Sequence, residues 1–382
     1  MVRAMRVLFS LASPSGLRPQ AADEGEVSVA SHKRETTAPP LHPPSVGAAG
    51  TFPQEGRLPH RPFTARPICA IIRLIMGKYW KRGAYMLKVT LLGTGGTQPL
   101  PDRALAAAAV TVGGRSVLLD CGEGTQVGLR RYGVSAYRLS AVLLTHYHGD
   151  HILGLPGLLQ TLGSLNRTEP LTIYGPKGIE PVAQAVTALA GPQAYPVRWQ
   201  VADEPFHIDT LKITPFPLTH RVPCCGYLLA LPRAGRFDPA RARAAGIPMP
   251  YWKTLQRGEA VGGCTPEQVL GAPRRGLKVV YATDTRPCAA LEAAAQDADL
   301  LCMDATYADD ADLPKAELYG HATCRETGAL AAAANVRRLW LTHYSAAVTD
   351  PAPGLAAART AYPAAVAGYD GLTEELEFDR EP

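Results

Sequence analysis

Thr145-His146-Tyr147-His148-Gly149-Asp150-His151 is the stretch on which the fold of this chain turns. It closes a continuous apolar run over 141–145 that reads as a buried strand. On extended backbone, residues two apart point the same way, so His146 and His148 present their imidazoles to one side. Gly149 permits a sharp turn, which puts Asp150 and His151 at the start of a helix expected over 152–165. Three histidines and an aspartate therefore converge within six residues. A lone histidine usually packs in a core or on a surface, but this spacing after an apolar strand reads as a metal site. Neutral imidazoles with a carboxylate suit zinc or a similar borderline ion.

One ion has too few positions for every candidate, and further ligand types stand at other strand ends. His220 follows a strand over 211–216, Asp284 ends one over 278–282, and His343 ends one over 338–342. Each is a polar residue capping a buried strand on what reads as one common edge, where layered α/β folds place their chemistry. The reading assigns His146, His148 and His220 to one ion and Asp150, His151 and His343 to a second. Asp284 bridges them. Two ions about 3.5–4 Å apart lower the pKa of a shared water and steady both oxygens of an in-line phosphoryl displacement.

Outward from this site, strands alternate with helices. Strands are expected at 88–92, 109–112, 116–120, 171–174, 227–231 and 300–304, with Gly113-Gly114 as a hairpin signal. Helical periodicity runs over 178–190, 289–298, 324–335 and 354–361. The pattern is that of a layered α/β domain. It breaks at about 232–277, a Pro- and Gly-rich insertion with two short helical pieces. Residues 1–85 differ from the rest: ten prolines and no sustained period predict an N-terminal extension that is disordered or non-native, with the domain beginning at Met86. Their apolar run, 68–76, is far below the roughly 20 residues that cross a bilayer, so no membrane anchor is expected. The acid-free opening has some transit-peptide character, but cytoplasmic location is the favoured reading.

The chain has 382 residues, of which 46% are hydrophobic and 19% charged, enough for a large packed core. Eight cysteines without a CxxC pair exclude a disulfide scaffold and a zinc ribbon, and read as reduced thiols. The net charge of +5 misleads: residues 1–85 carry +7, and the remaining 297 carry −2. The charge that bears on function is local.

Several runs carry a family resemblance. They are Leu92-Gly93-Thr94-Gly95, Asp120-Cys121-Gly122-Glu123-Gly124-Thr125-Gln126, Thr145 to His151 with Gly154-Leu155-Pro156-Gly157, and His220-Arg221-Val222-Pro223. Asp284-Thr285-Arg286-Pro287, Asp304-Ala305-Thr306, Gly320-His321-Ala322-Thr323 and Thr342-His343-Tyr344-Ser345 continue the series. From Met86 to about Ala347 the chain resembles the ribonuclease Z family, tRNA 3′-endonucleases of the metallo-β-lactamase superfamily. The resemblance implies a four-layer αββα sandwich, two zinc ions per subunit, a homodimer and precursor tRNA as substrate. It implies that a metal-activated hydroxide cuts a phosphodiester to release the 3′ trailer. It also assigns His321 as proton donor to the leaving 3′ oxygen, partnered by Asp304 where the family has glutamate. Asp150 has a secondary role as acceptor of a proton from the attacking water.

The insertion resembles the protruding arm with which that family holds tRNA. Residues 231–278 contain nine Lys/Arg and three Asp/Glu, a net +6. Arg233, Arg236, Arg241, Arg243, Lys253 and Arg257 are the candidate RNA contacts, with Tyr251 and Trp252 beside them. Two rival functions are a small-molecule phosphodiesterase or other hydrolase of the same superfamily, and a non-catalytic metal-containing RNA-binding protein. The basic arm speaks against the first, since a small substrate needs no remote handle. The intact set of seven ligands speaks against the second.

Overall fold

The long strands are apolar at successive positions because both of their faces are covered. In a computed structural model, which describes residues 86–379, the strands are β1 (Met86–Gly93), β2 (Ala107–Val112), β3 (Arg115–Leu119), β4 (Leu139–Leu143), β5 (Leu171–Gly175), β6 (Val197–Val201), β7 (Phe206–Ile208), β8 (Leu211–Pro217), β9 (Cys225–Arg233), β10 (Arg274–Ala282), β11 (Leu300–Asp304), β12 (Leu339–Thr342), β13 (Ala365–Ala367) and β14 (Thr373–Glu377). They form two mixed sheets, ordered 14-1-2-3-4-5-6 and 13-12-11-10-9-8-7. The readings made for residues 1–85 lie outside the described residues.

Alternation along each strand separates three cores. Val117, Leu119, Ala141 and Leu143 point inward from the first sheet and meet Val279, Tyr281, Leu300 and Trp340 of the second. The intervening Leu118 and Val142 face the helices Thr125–Arg131, Leu155–Ser164 and Ile179–Ala190. On the far side, Val280, Leu301 and Leu341 pack under helices Ala289–Ala295, Cys324–Ala333 and Ala352–Arg359. This is the expected αββα sandwich. Among the described residues no helix is long and apolar enough to cross a membrane.

Topology gathers the site. β3, β4 and β5 are mutually parallel, as are β10, β11 and β12. β8 and β10 both run antiparallel to β9, so β8 ends at the same edge as β10. Asp120, Thr145, His220, Asp284, Asp304 and His343 thus emerge at C-terminal strand ends. Asp120, Asp284 and His343 have φ of 56°, 54° and 62°, an uncommon conformation outside glycine. Such turns straight after a strand, held by surrounding packing, are typical of functional edges.

Strands β6, β7, β13 and β14 were not expected, nor was helix Leu313–Tyr319. The helix anticipated over 152–165 divides into one turn, Gly149–Ile152, and the helix Leu155–Ser164. Between β9 and β10 the insertion folds on itself. Helices Pro239–Ala244 and Met249–Gln256 enclose a small core of Ala242, Ile247, Leu255 and Val269. Asp238 caps the first helix by accepting from the backbone of Ala240 at 2.8 Å and Arg241 at 3.1 Å.

Candidate metal centre

Five imidazoles and two carboxylates meet at the strand ends, and four of the rings are fixed through Nδ1. His151 donates to the buried Asp120 carboxylate at 2.9 Å. His220 donates to the carbonyl of Gly320 at 2.9 Å, and His343 to Thr306 Oγ1 at 3.1 Å. Thr306 passes its own proton to the His343 carbonyl at 3.0 Å. His146 donates to Thr145 Oγ1 at 3.0 Å, and that hydroxyl donates onward to Asp120. Each acceptor leaves the ring's Nε2 lone pair facing the centre, which is how outer partners orient metal-binding histidines. His148 instead turns Nδ1 inward, 2.9 Å from His146 Nε2 and 3.5 Å from His220 Nε2.

The lone pairs crowd around Asp284. Its Oδ1 lies 3.0 Å from His151 Nε2 and 2.9 Å from His343 Nε2, and those two nitrogens are 3.2 Å apart. Its Oδ2 lies 3.6 Å from His146 Nε2 and 3.8 Å from His220 Nε2. Asp150 Oδ2 stands 3.6 Å from His151 and 3.5 Å from His343, while the backbone N–H of Thr97 donates to it at 2.6 Å. Asp284 Oδ1 is buried without a hydrogen-bond partner. Acceptor atoms packed this closely require positive charge among them. His146, His148, His220 and Asp284 group within metal-ligand reach, as do Asp150, His151 and His343. The donor set fits divalent metal, and Asp284 also groups with Asp304, His321 and His343 within the same reach.

Electrostatics agree. Burial holds His146, His148 and His220 below the ordinary imidazole value, so their lone pairs are free at neutral pH. Burial also disfavours charge on His151, but the Asp284 and Asp120 carboxylates outweigh it and push the ring up to about 10. His343 is raised against its burial by Asp284 and Asp150. Burial disfavours the Asp284 carboxylate, yet His343 and His151 hold it well below the usual range. In metal-free protein the second half of the site therefore carries protons that metal must displace. Zinc titrated into stripped protein at neutral pH is expected to release protons from His151 and His343. Its apparent affinity should rise with pH toward the His151 value of about 10. Calorimetry in buffers of different ionisation enthalpy measures this; proton-neutral binding would contradict it.

His321 stands beside the cluster. Its Nδ1 donates to Asp304 Oδ2 at 2.8 Å, and its Nε2 is 3.9 Å from Asp284 Oδ2. Asp304 is fully buried and also accepts from the backbone of Thr306 at 2.9 Å and Thr285 at 3.2 Å. The shorter side chain, relative to glutamate, thus reaches its histidine. Arg286 secures this loop by donating to the His321 carbonyl at 2.7 Å while paired with Glu326. Sequence reasoning quoted Asp120, Arg286, Thr306 and Gly320 as motif residues without giving them tasks. Their partners lie up to a hundred residues away, and only the folded edge brings them together.

The arm departs from a simple basic surface. Arg241 donates to the Leu270 carbonyl at 3.0 Å, and Arg257 pairs with Glu259 at 3.0 Å. Arg233 donates to the Asp379 carbonyl at 2.9 Å, at the base of the arm. Trp252 donates to the Ile247 carbonyl at 2.9 Å and packs on Phe237, so it belongs to the arm's own core. Arg243 lies over the Trp252 ring at 5.7 Å and, like Arg236 and Lys253, is exposed.

Comparison with known proteins finds a metallo-beta-lactamase superfamily match over residues 105–230 and a beta-lactamase superfamily domain match over 264–344. Ribonuclease Z of Lachnospira eligens is 41% identical over 303 residues, spanning 78% of this chain and 100% of that protein. Ribonuclease Z of Agathobacter rectalis is 39% identical over 303 residues, with the same coverage. Among solved structures, the metallo-beta-lactamase fold protein YhfI of Bacillus subtilis aligns with a TM-score of 0.57 at 23% identity, covering 76% of this chain and 99% of that one. The short form of human tRNase Z aligns at 0.54 and 24%, covering 76% and 100%. At those identities the two structures speak for the fold alone.

Proposed function

We propose that this chain, which belongs to the ribonuclease Z family, removes 3′ trailers from precursor tRNA as a zinc-dependent endoribonuclease. The observation that carries the reading is the gathering of six lone-pair donors from both sheets around Asp284. His146, His148 and His220 would hold one zinc ion, Asp150, His151 and His343 the other, with Asp284 between them. When bound, such a pair supplies Lewis acidity and water of lowered pKa for in-line displacement at phosphorus.

The protein's own side chains have distinct tasks in this reading. Asp150 accepts a proton from the attacking water. Asp304 fixes the His321 ring with its proton on Nδ1 and stabilises the imidazolium, so that Nε2 delivers a proton to the leaving 3′ oxygen. The products are a tRNA ending in 3′-OH and a trailer bearing a 5′-phosphate. The protein acts in the cytoplasm as a homodimer, and light scattering tests that oligomeric state. The test of the function is incubation of metal-loaded protein with a 3′-extended tRNA. Failure to make a discrete cut beside the acceptor stem, with two zinc ions bound, would refute it.

The arm is assigned to holding tRNA through Arg243 and Lys253 chiefly, with Arg233, Arg236, Arg241 and Arg257 beside them. The β9 and β10 ends pair at Arg233 and Arg274, so a short turn replacing residues 235–272 leaves the sheet closed. That deletion should raise KM for precursor tRNA at least about tenfold, the scale of losing several phosphate contacts. Hydrolysis of a small phosphodiester should persist. Equal loss of both activities would make the arm structural.

A further inference from the structure

Arg221 and Tyr319 are the sequence neighbours of His220 and Gly320, which share a hydrogen bond, and Tyr319 is two residues from His321. The Arg221 guanidinium lies over the Tyr319 ring, 5.1 Å from its centroid. Both are exposed, Tyr319 by 41%, and beside them Leu318 is exposed by 66%. Among the described residues no carboxylate pairs with Arg221, so its charge is unspent. Tyr307 completes the rim, set edge-on to the His321 ring at 6.3 Å between centroids.

A planar cation stacked on an aromatic ring, with apolar surface open beside it, is poorly explained as a solvated face. Its chemistry suits an unpaired nucleobase, which stacks on aromatic rings and guanidinium planes. We propose that Arg221 and Tyr319 form a stacking platform for the nucleotide flanking the scissile phosphate. This rests on the tRNA-processing reading and adds a base contact at the reaction centre, separate from the arm. The cation also faces the phosphate on that nucleotide, so one pair of side chains meets both base and backbone. Stacking tolerates any base, which suits a junction whose trailer varies in sequence.

The test compares wild type, Tyr319→Ala and Arg221→Ala on precursor tRNAs that are intact or carry an abasic nucleotide on either side of the cut. On intact precursor each alanine variant should lose about tenfold in kcat/KM, in the range of one base–aromatic stack. Tyr319→Phe, which keeps the ring, should lose less than Tyr319→Ala. Wild type and Tyr319→Ala, with equal zinc content, should cleave the precursor abasic at the contacted position at the same rate. The platform is overturned if Tyr319→Ala cuts intact precursor like wild type, or if its loss is as large on both abasic precursors. Wild type that cuts no precursor tRNA, yet hydrolyses a small phosphodiester, overturns the tRNA reading itself and the platform with it.

Discussion

An Asp284→Ala protein is expected to lose RNA cleavage by at least about 10³-fold, the scale of removing a preorganised electrostatic partner. Its carboxylate lies 2.9–3.8 Å from Nε2 of His343, His151, His146 and His220. Among the described residues, no other carboxylate lies this close to imidazoles of both halves of the site. Without it, the positive charge held by His151 and His343, whose Nε2 atoms are 3.2 Å apart, loses the carboxylate that balances it. Metal affinity should fall by more than the roughly 10–100-fold typical of losing an outer partner alone. Asp284→Asn separates charge from shape, since the amide fills the same space and offers one neutral oxygen. It should retain some metal and remain nearly inactive. Metal content by atomic emission, measured beside cleavage rate, checks both. An Asp284→Ala protein with full metal and full activity would remove Asp284 from the bridging role.

How much of this was legible depended on the distance over which each signal acts. The run from Thr145 to His151 was readable because backbone periodicity alone sets its side-chain directions. His220, Asp284 and His343 were readable because each is a polar residue ending an apolar strand. The outer partners were not. Thr306 and His343 are 37 residues apart, and His220 and Gly320 a hundred. β6 escaped notice because its alternation, Val197 and Trp199 against the exposed Arg198 and Gln200, lies at a sheet edge with weak burial. β7 and β13 have three residues each, too few for a period. In the arm, composition gave the charge but not its disposition. Arg241 and Arg257 find partners inside the insertion, and Trp252 turns inward because that small unit needs a core.

Replacing His321 with alanine should slow RNA cleavage by about 10²–10⁴-fold, the usual worth of a positioned general acid. The loss should depend on the leaving group. An RNA 3′ oxygen departs as a strongly basic alkoxide unless protonated, whereas p-nitrophenolate leaves without help. His321→Ala should therefore slow a p-nitrophenyl phosphodiester by less than about tenfold, since proton transfer no longer limits it. Asp304→Asn should show the same leaving-group pattern with a smaller loss, because Thr306 Oγ1, 3.1 Å from His321 Nδ1, still offers an acceptor. There is a competing geometry: Asp304 and His321 also group with Asp284 and His343 at metal-ligand spacing. Yet Asp304 already accepts from His321, Thr306 and Thr285, which leaves its oxygens little capacity for an ion. The leaving-group series decides between the two. A ligand's loss would strip metal and slow both substrates alike, while a proton donor's loss spares the metal and the activated ester.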